Sequence, residues 1–162
     1  MPTNSVKGYD VFSDVLKELK ASDDSIRELV LSAPNQPVEK IVEKYNAADV
    51  FLFTSRKGSE GSPTVVKEAV AMGLPVVSVD VGDVAEITRE VTPSQVVAFA
   101  EPWGTPAARE ALVKSLADAV TEVLDTKSRS NGREACGWLD SPHGSPNGSS
   151  RSTGRWSVES GR

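Results

Sequence analysis

The chain has 162 residues, 38% hydrophobic and 25% charged, with a formal net charge of −5. That is room for one domain with its own core, and no apolar run approaches the ~20 residues that span a bilayer. One cysteine (Cys136) and one histidine (His143) exclude an internal disulfide and a Cys/His metal site, and MPTNSVKGYD lacks the apolar run of a secretory signal.

A reducing, cytoplasmic setting is therefore expected. Charge is unevenly placed. Residues 127–162 carry six Lys or Arg against three Asp or Glu, which leaves −8 on residues 1–126. An acidic body lacks the basic face that nucleic acid demands. Arg129, Arg133, Arg151, Arg155 and Arg162 read as part of a solvated basic tail.

In chain order, DVFSDVLKELK (10–20) sets Val11, Val15 and Leu19 at helical spacing behind Asp10 as N-cap. ELVLS (28–32) reads as a short strand. PVEKIVEKYNAA (37–48) reads as a helix with Pro37 at its first position. DVFLFTS (49–55) is a continuous apolar run, the pattern of a strand buried on both faces. Residues 63–73 form a helix stopped by Gly73, and PVVSVD (75–80) is a second buried strand. DVAEITRE (83–90) is a short helix and QVVAFA (95–100) a last strand. Residues 105–124 form a long amphipathic helix with Leu112, Leu116, Ala119, Val120 and Val123 on one stripe. From Ser141 on, Ser, Gly, Pro and Arg dominate, and too little apolar surface remains to offset ordering entropy. The expectation is a folded domain over 1–140 and a disordered tail over 141–162.

Strands that alternate with helices, apolar along their whole length, predict an α/β fold. It should be an open parallel sheet of about four strands with helices on both faces. Such sheets bind ligands beyond the carboxyl ends of their strands. The first element, however, is a helix where a βα unit would open with a strand.

The stretch EGSPTVVKEAVAMGLPVVSVDVGDVAE (60–86) is the most informative. Ser62 suits an N-cap and Pro63 the first helical position, so the loop delivers the amides of Gly61, Ser62 and Thr64 to a helix start, which favours phosphate. Val65, Val66, Ala69, Val70 and Gly73 form one arc, with Lys67 and Glu68 on its two edges. Glu60 lies in the loop and Glu68 inside the helix. Carboxylates accept hydrogen bonds from sugar hydroxyls. A ligand with phosphates in its middle and hydroxyls at both ends, a nucleotide sugar, matches that layout. On spacing alone, ordinary capping electrostatics is the better explanation of the two glutamates.

Glu60, seven residues, Glu68, framed by YNAADVFLFTS before and PVVSVDVGDVAEI after, resembles the signature of retaining GT-B glycosyltransferases of family 4. The likeness runs from about Val6 to Leu139 and implies the Rossmann-like, donor-binding C-terminal domain of such an enzyme. By this resemblance Glu68 holds the donor ribose and Glu60 faces the transferred sugar. Gly61, Ser62 and Thr64 lie near the sugar and phosphates, Gly82 and Asp83 form the donor-binding turn on the same edge of the cleft, and Lys7 neutralises the diphosphate. The donor would be a UDP- or GDP-sugar, with no metal and no further cofactor. The acceptor would be a sugar or a lipid-linked glycan, reached in the cytoplasm or at the inner membrane surface. The resemblance also implies a missing N-terminal domain, a missing first strand with its arginine, and a loop before Glu60 about two residues longer than usual. A chain truncated at both ends is therefore expected.

Two other readings stand beside it. One is a fragment without activity that needs a partner chain. The other is an α/β signalling module, for which Asp49 and Asp80 do not form the required acidic pair. Tyr45 reads as core, Trp103 as a loop anchor on the sheet edge, and Cys136 as a small apolar residue.

Overall fold

The computed structural model describes residues 8–31, 36–135 and 137. Lys7, Cys136, His143 and the segment 141–162 lie outside the described residues, and so do the expectations attached to them. Among the described residues there are six helices and three strands: α1 (Tyr9–Ser22), α2 (Val38–Ala47), β1 (Phe51–Phe53), α3 (Thr64–Ala71), β2 (Val76–Val79), α4 (Val84–Ile87), β3 (Ser94–Val97), α5 (Pro106–Asp125) and α6 (Gly132–Ala135).

The strands form one parallel sheet in the order β1-β2-β3, with Phe51 opposite Val76 and Val76 opposite Ser94. The fold is thus α/β, as the alternation predicts. Its described sheet has three strands, not four, because residues 28–31 form no ladder. The run ELVLS is short, and Leu29 is 47% exposed. Apolar side chains make a strand only where a neighbour pairs with the backbone.

All four residues of β2 are buried, as a central strand covered on both faces requires. Helix α5 packs on β2, β3 and α1, whereas α3 packs on β1, β2, α4 and α6. The stripe read from the sequence of α5 is the one that is buried: Leu112, Leu116, Ala119, Val120 and Val123. Thr105 caps this helix by accepting the Ala108 amide at 3.2 Å, and Pro106 opens it.

Helix α3 ends in a paired turn. Gly73, at φ +69°, donates to Val70 O, and Leu74 donates to Ala69 O, both at 2.9 Å. This two-bond closure with a left-handed glycine is the Schellman motif. It turns the chain straight into β2. On α3, Val66, Ala69 and Val70 are buried as expected, but Val65 is 36% exposed and leaves the predicted arc.

Two expected caps are corrected. Asp10 does not cap α1: the cap is Gly8 in the left-handed region at φ +66°, and Asp10 sits in the first turn, where it pairs with Arg109. Ser62 does not cap α3: Pro63 takes that place, and Ser62 reaches a different partner. Arg129 also departs from the expected solvated tail. It donates to the carbonyls of Ala48 (2.7 Å), Met72 (3.1 Å) and Tyr45 (3.3 Å), fastening the ends of α2 and α3.

Candidate functional site

The residues marked by the sequence can be built up from β1. This strand ends at Phe53, and Thr54 and Ser55 follow, both buried. Gly8 packs on them so tightly that any side chain there would collide with the Thr54 carbonyl. Thr54 Oγ1 donates to Gly8 O at 2.9 Å. Gly8 is thereby pinned to the carboxyl end of β1.

Ser55 Oγ donates to Glu60 Oε1 at 2.9 Å, which draws the half-buried Glu60 back over the strand end. The Glu60–Gly61 loop then meets the turn after β2. Gly82 is left-handed at φ +54°, and a Cβ there would strike the Gly61 carbonyl. The same carbonyl accepts the Asp83 amide at 2.9 Å. Ser62 Oγ donates to Asp83 Oδ2 at 2.6 Å, while Asp83 Oδ1 is buried with no partner among the described residues. Glu60, Gly61, Ser62 and Gly82, drawn from two loops, therefore share one edge. Thr64, exposed, opens α3 beside them.

Glu68 lies one turn deeper on α3 and has its own partner. Tyr45 of α2, only 3% exposed, donates its hydroxyl to Glu68 Oε2 at 2.9 Å. Val65 O lies 3.3 Å from the same hydroxyl. Burial, and then the neighbouring Glu68 charge, push the Tyr45 phenol well above its ordinary range, so it stays a donor. Tyr45 is core, as read, but its tie to Glu68 was not foreseen. The sequence places the two residues 23 positions apart, with no local pattern joining them.

On the flank of the edge, Arg109 joins Asp10 and Asp14, each at 2.7 Å, and Arg56 approaches Asp10 at 3.5 Å. Trp103 packs edge-on against Phe99 at 4.5 Å between ring centres, the anchoring role expected of it. Among the described residues no group of three or more His, Cys, Asp or Glu is arranged to hold a metal ion, and no helix is long and apolar enough to cross a membrane. An open cavity of about 370 Å³, lined by Asp49, Val123, Leu124, Lys127, Ser128 and Arg129, lies at the opposite, amino end of the strands. It shares no residue with the edge just described.

A small open parallel sheet with flanking helices, and glycine loops meeting beyond its carboxyl ends, define a Rossmann-like α/β domain. The chain belongs to the glycosyl transferases group 1 family, whose model matches residues 17–126, about two thirds of its length. Every marked site residue except Lys7 falls inside that stretch. A D-inositol 3-phosphate glycosyltransferase of Nocardia farcinica (strain IFM 10152) is 40% identical over 77 residues, which are 48% of this chain and 16% of that relative. No solved structure matches the chain.

Proposed function

We propose that this chain is the donor-binding part of a retaining GT-B glycosyltransferase of family 4. The longer enzyme would transfer a hexose from a UDP- or GDP-sugar to a sugar or lipid-linked glycan. The observation that carries the reading is the meeting of the Glu60–Gly61 loop with the Gly82–Asp83 turn at the start of α3. The loops that follow two adjacent strands thereby bring Glu60, Gly61, Ser62 and Gly82 together beyond the carboxyl ends of the sheet.

In this reading Glu68 accepts hydrogen bonds from the ribose hydroxyls, and Glu60 faces the sugar being transferred. Gly61, Ser62, Thr64 and Gly82 line the diphosphate and the sugar. When the nucleoside diphosphate departs, charge collects on phosphate oxygens. The amides at the start of α3 and the ammonium of Lys7 stabilise that charge as it develops, so the reading needs no metal and no further cofactor. The acceptor attacks on the face the diphosphate leaves. A second, N-terminal domain supplies the acceptor and excludes water.

The test is a titration of the ¹⁵N-labelled chain with UDP-glucose and with GDP-mannose. One of them should shift the amides of residues 60–62, 64–68 and 82–83 in a saturable way, and Glu68→Ala should weaken binding of the nucleoside part. Equal affinity in the Glu68→Ala chain would remove the site assignment.

A further inference from the structure

We propose that Tyr45 is a positioning residue for donor binding: its hydroxyl holds one oxygen of Glu68 so that the other is presented to the ribose. The inference rests on the donor-site reading above and deepens it. Its grounds are geometric. Tyr45 is buried, and its ring is fixed against Phe51 with centres 6.0 Å apart. The hydroxyl reaches Glu68 Oε2 at 2.9 Å across the gap between α2 and α3. No described residue bonds Glu68 Oε1, and that atom is not sealed from solvent.

A glutamate on a helix surface samples several rotamers, and a ligand that needs one of them must bear the ordering entropy. Here α2 supplies a rigid donor that selects one arrangement before the ligand arrives. The phenol has one proton to give, and the carboxylate only accepts. The bond therefore has a single polarity. Tyr45 touches no ligand in this arrangement and acts through Glu68 alone.

The experiment measures the affinity of the full chain for UDP and GDP, each beside its 2′-deoxy counterpart. The ratio of the two affinities reports recognition of the ribose hydroxyl. Glu68→Ala should bring that ratio close to one. Tyr45→Phe keeps the ring and its packing and should lower the ratio roughly tenfold, the scale of one hydrogen bond to a charged group. The double variant should match Glu68→Ala. A structural role for the hydroxyl would lower thermal stability and leave the ratio unchanged.

If Glu68→Ala itself keeps the ratio, or no nucleotide binds, the donor-site reading falls and this inference with it. If Glu68→Ala abolishes the ratio and Tyr45→Phe preserves it, the inference alone is overturned. Should Tyr45→Phe fail to fold, 3-fluorotyrosine at the chain's two tyrosines gives an independent readout. The Tyr45 ¹⁹F signal should move saturably with the ribonucleotide and less with the deoxy form. A signal equally moved by both, or unmoved, contradicts the proposal.

Discussion

Gly82 and Gly61 lock two loops together: the left-handed backbone of Gly82 lies against the Gly61 carbonyl with no room for a side chain. Gly58 also has a positive φ, +76°, but nothing lies within 4 Å of where its Cβ would stand. The two positions therefore separate conformational strain from collision. Gly58→Ala should cost the left-handed penalty alone, about 1–2 kcal/mol. Gly82→Ala adds a backbone clash that only movement of the Glu60 loop relieves, for a total of about 3 kcal/mol. Urea unfolding of both variants checks the ordering. Equal costs would mean that the two loops are not in contact in solution.

What the sequence reveals about such a contact is limited, and particular residues show why. The stripe of α5 is legible because twenty residues repeat one period and its cap, Thr105, acts locally. Gly73 is legible for the same reason, since its turn closes within six residues. Ser62 misleads because its neighbour Pro63 adopts the extended cap conformation at ψ 115°, and a carboxylate 21 residues away captures the serine hydroxyl. ELVLS misleads because strand formation depends on a pairing partner that no linear pattern reports. For the candidate site, residue types and order were readable. The Tyr45–Glu68 tie and the Gly61–Gly82 contact, which span 23 and 21 positions, were not.

Arg109 makes a prediction about pH. Burial raises the pKa of Asp10, but the Arg109 and Arg56 guanidiniums outweigh it and hold that carboxyl below its ordinary 3.8. For Asp14, hydrogen bonds from Arg109 and then Lys17 do the same. A depressed folded pKa contributes stability that is present above the unfolded value and is lost as pH falls through the folded one. The side chains are 35–39% exposed, so solvent screening holds the contribution to about 1 kcal/mol. Arg109→Met should thus lower stability by that amount at pH 7, and its deficit should close as pH drops below about 4. Thermal melts across pH 2–7 test this. A deficit that stays constant at low pH would assign the loss to packing between α1 and α5.

Arg129 should behave as a structural clasp. Its guanidinium reaches carbonyls at the ends of both α2 and α3, where helix dipoles also favour a cation. Arg129→Ala should destabilise by about 1–2 kcal/mol, given three bonds at an exposed site. Arg129→Lys should recover little, because a single ammonium cannot spread over three separated acceptors as a planar fork does. Denaturant midpoints for the two variants decide it. A fully rescued Lys variant would reduce the role of Arg129 to plain charge.

Ser62 and Asp83 provide a test of the corrected cap. If Ser62 capped α3, Ser62→Ala would cost about 1 kcal/mol whatever stood at position 83. The structure instead gives its hydroxyl to Asp83 Oδ2 at 2.6 Å, with Asp83 Oδ1 already buried and without a partner among the described residues. Removing the serine hydroxyl then leaves both carboxylate oxygens without a donor among the described residues, a loss of about 1–3 kcal/mol. In an Asp83→Ala background the same change should cost close to nothing, since no acceptor remains to be stranded. The double-mutant cycle should therefore show a coupling of about 1 kcal/mol or more. Because the bond joins the glutamate loop to the turn after β2, the single Ser62→Ala variant should also shift the amides of Gly61 and Gly82. A cycle that closes with no coupling would return Ser62 to the role of an ordinary helix cap.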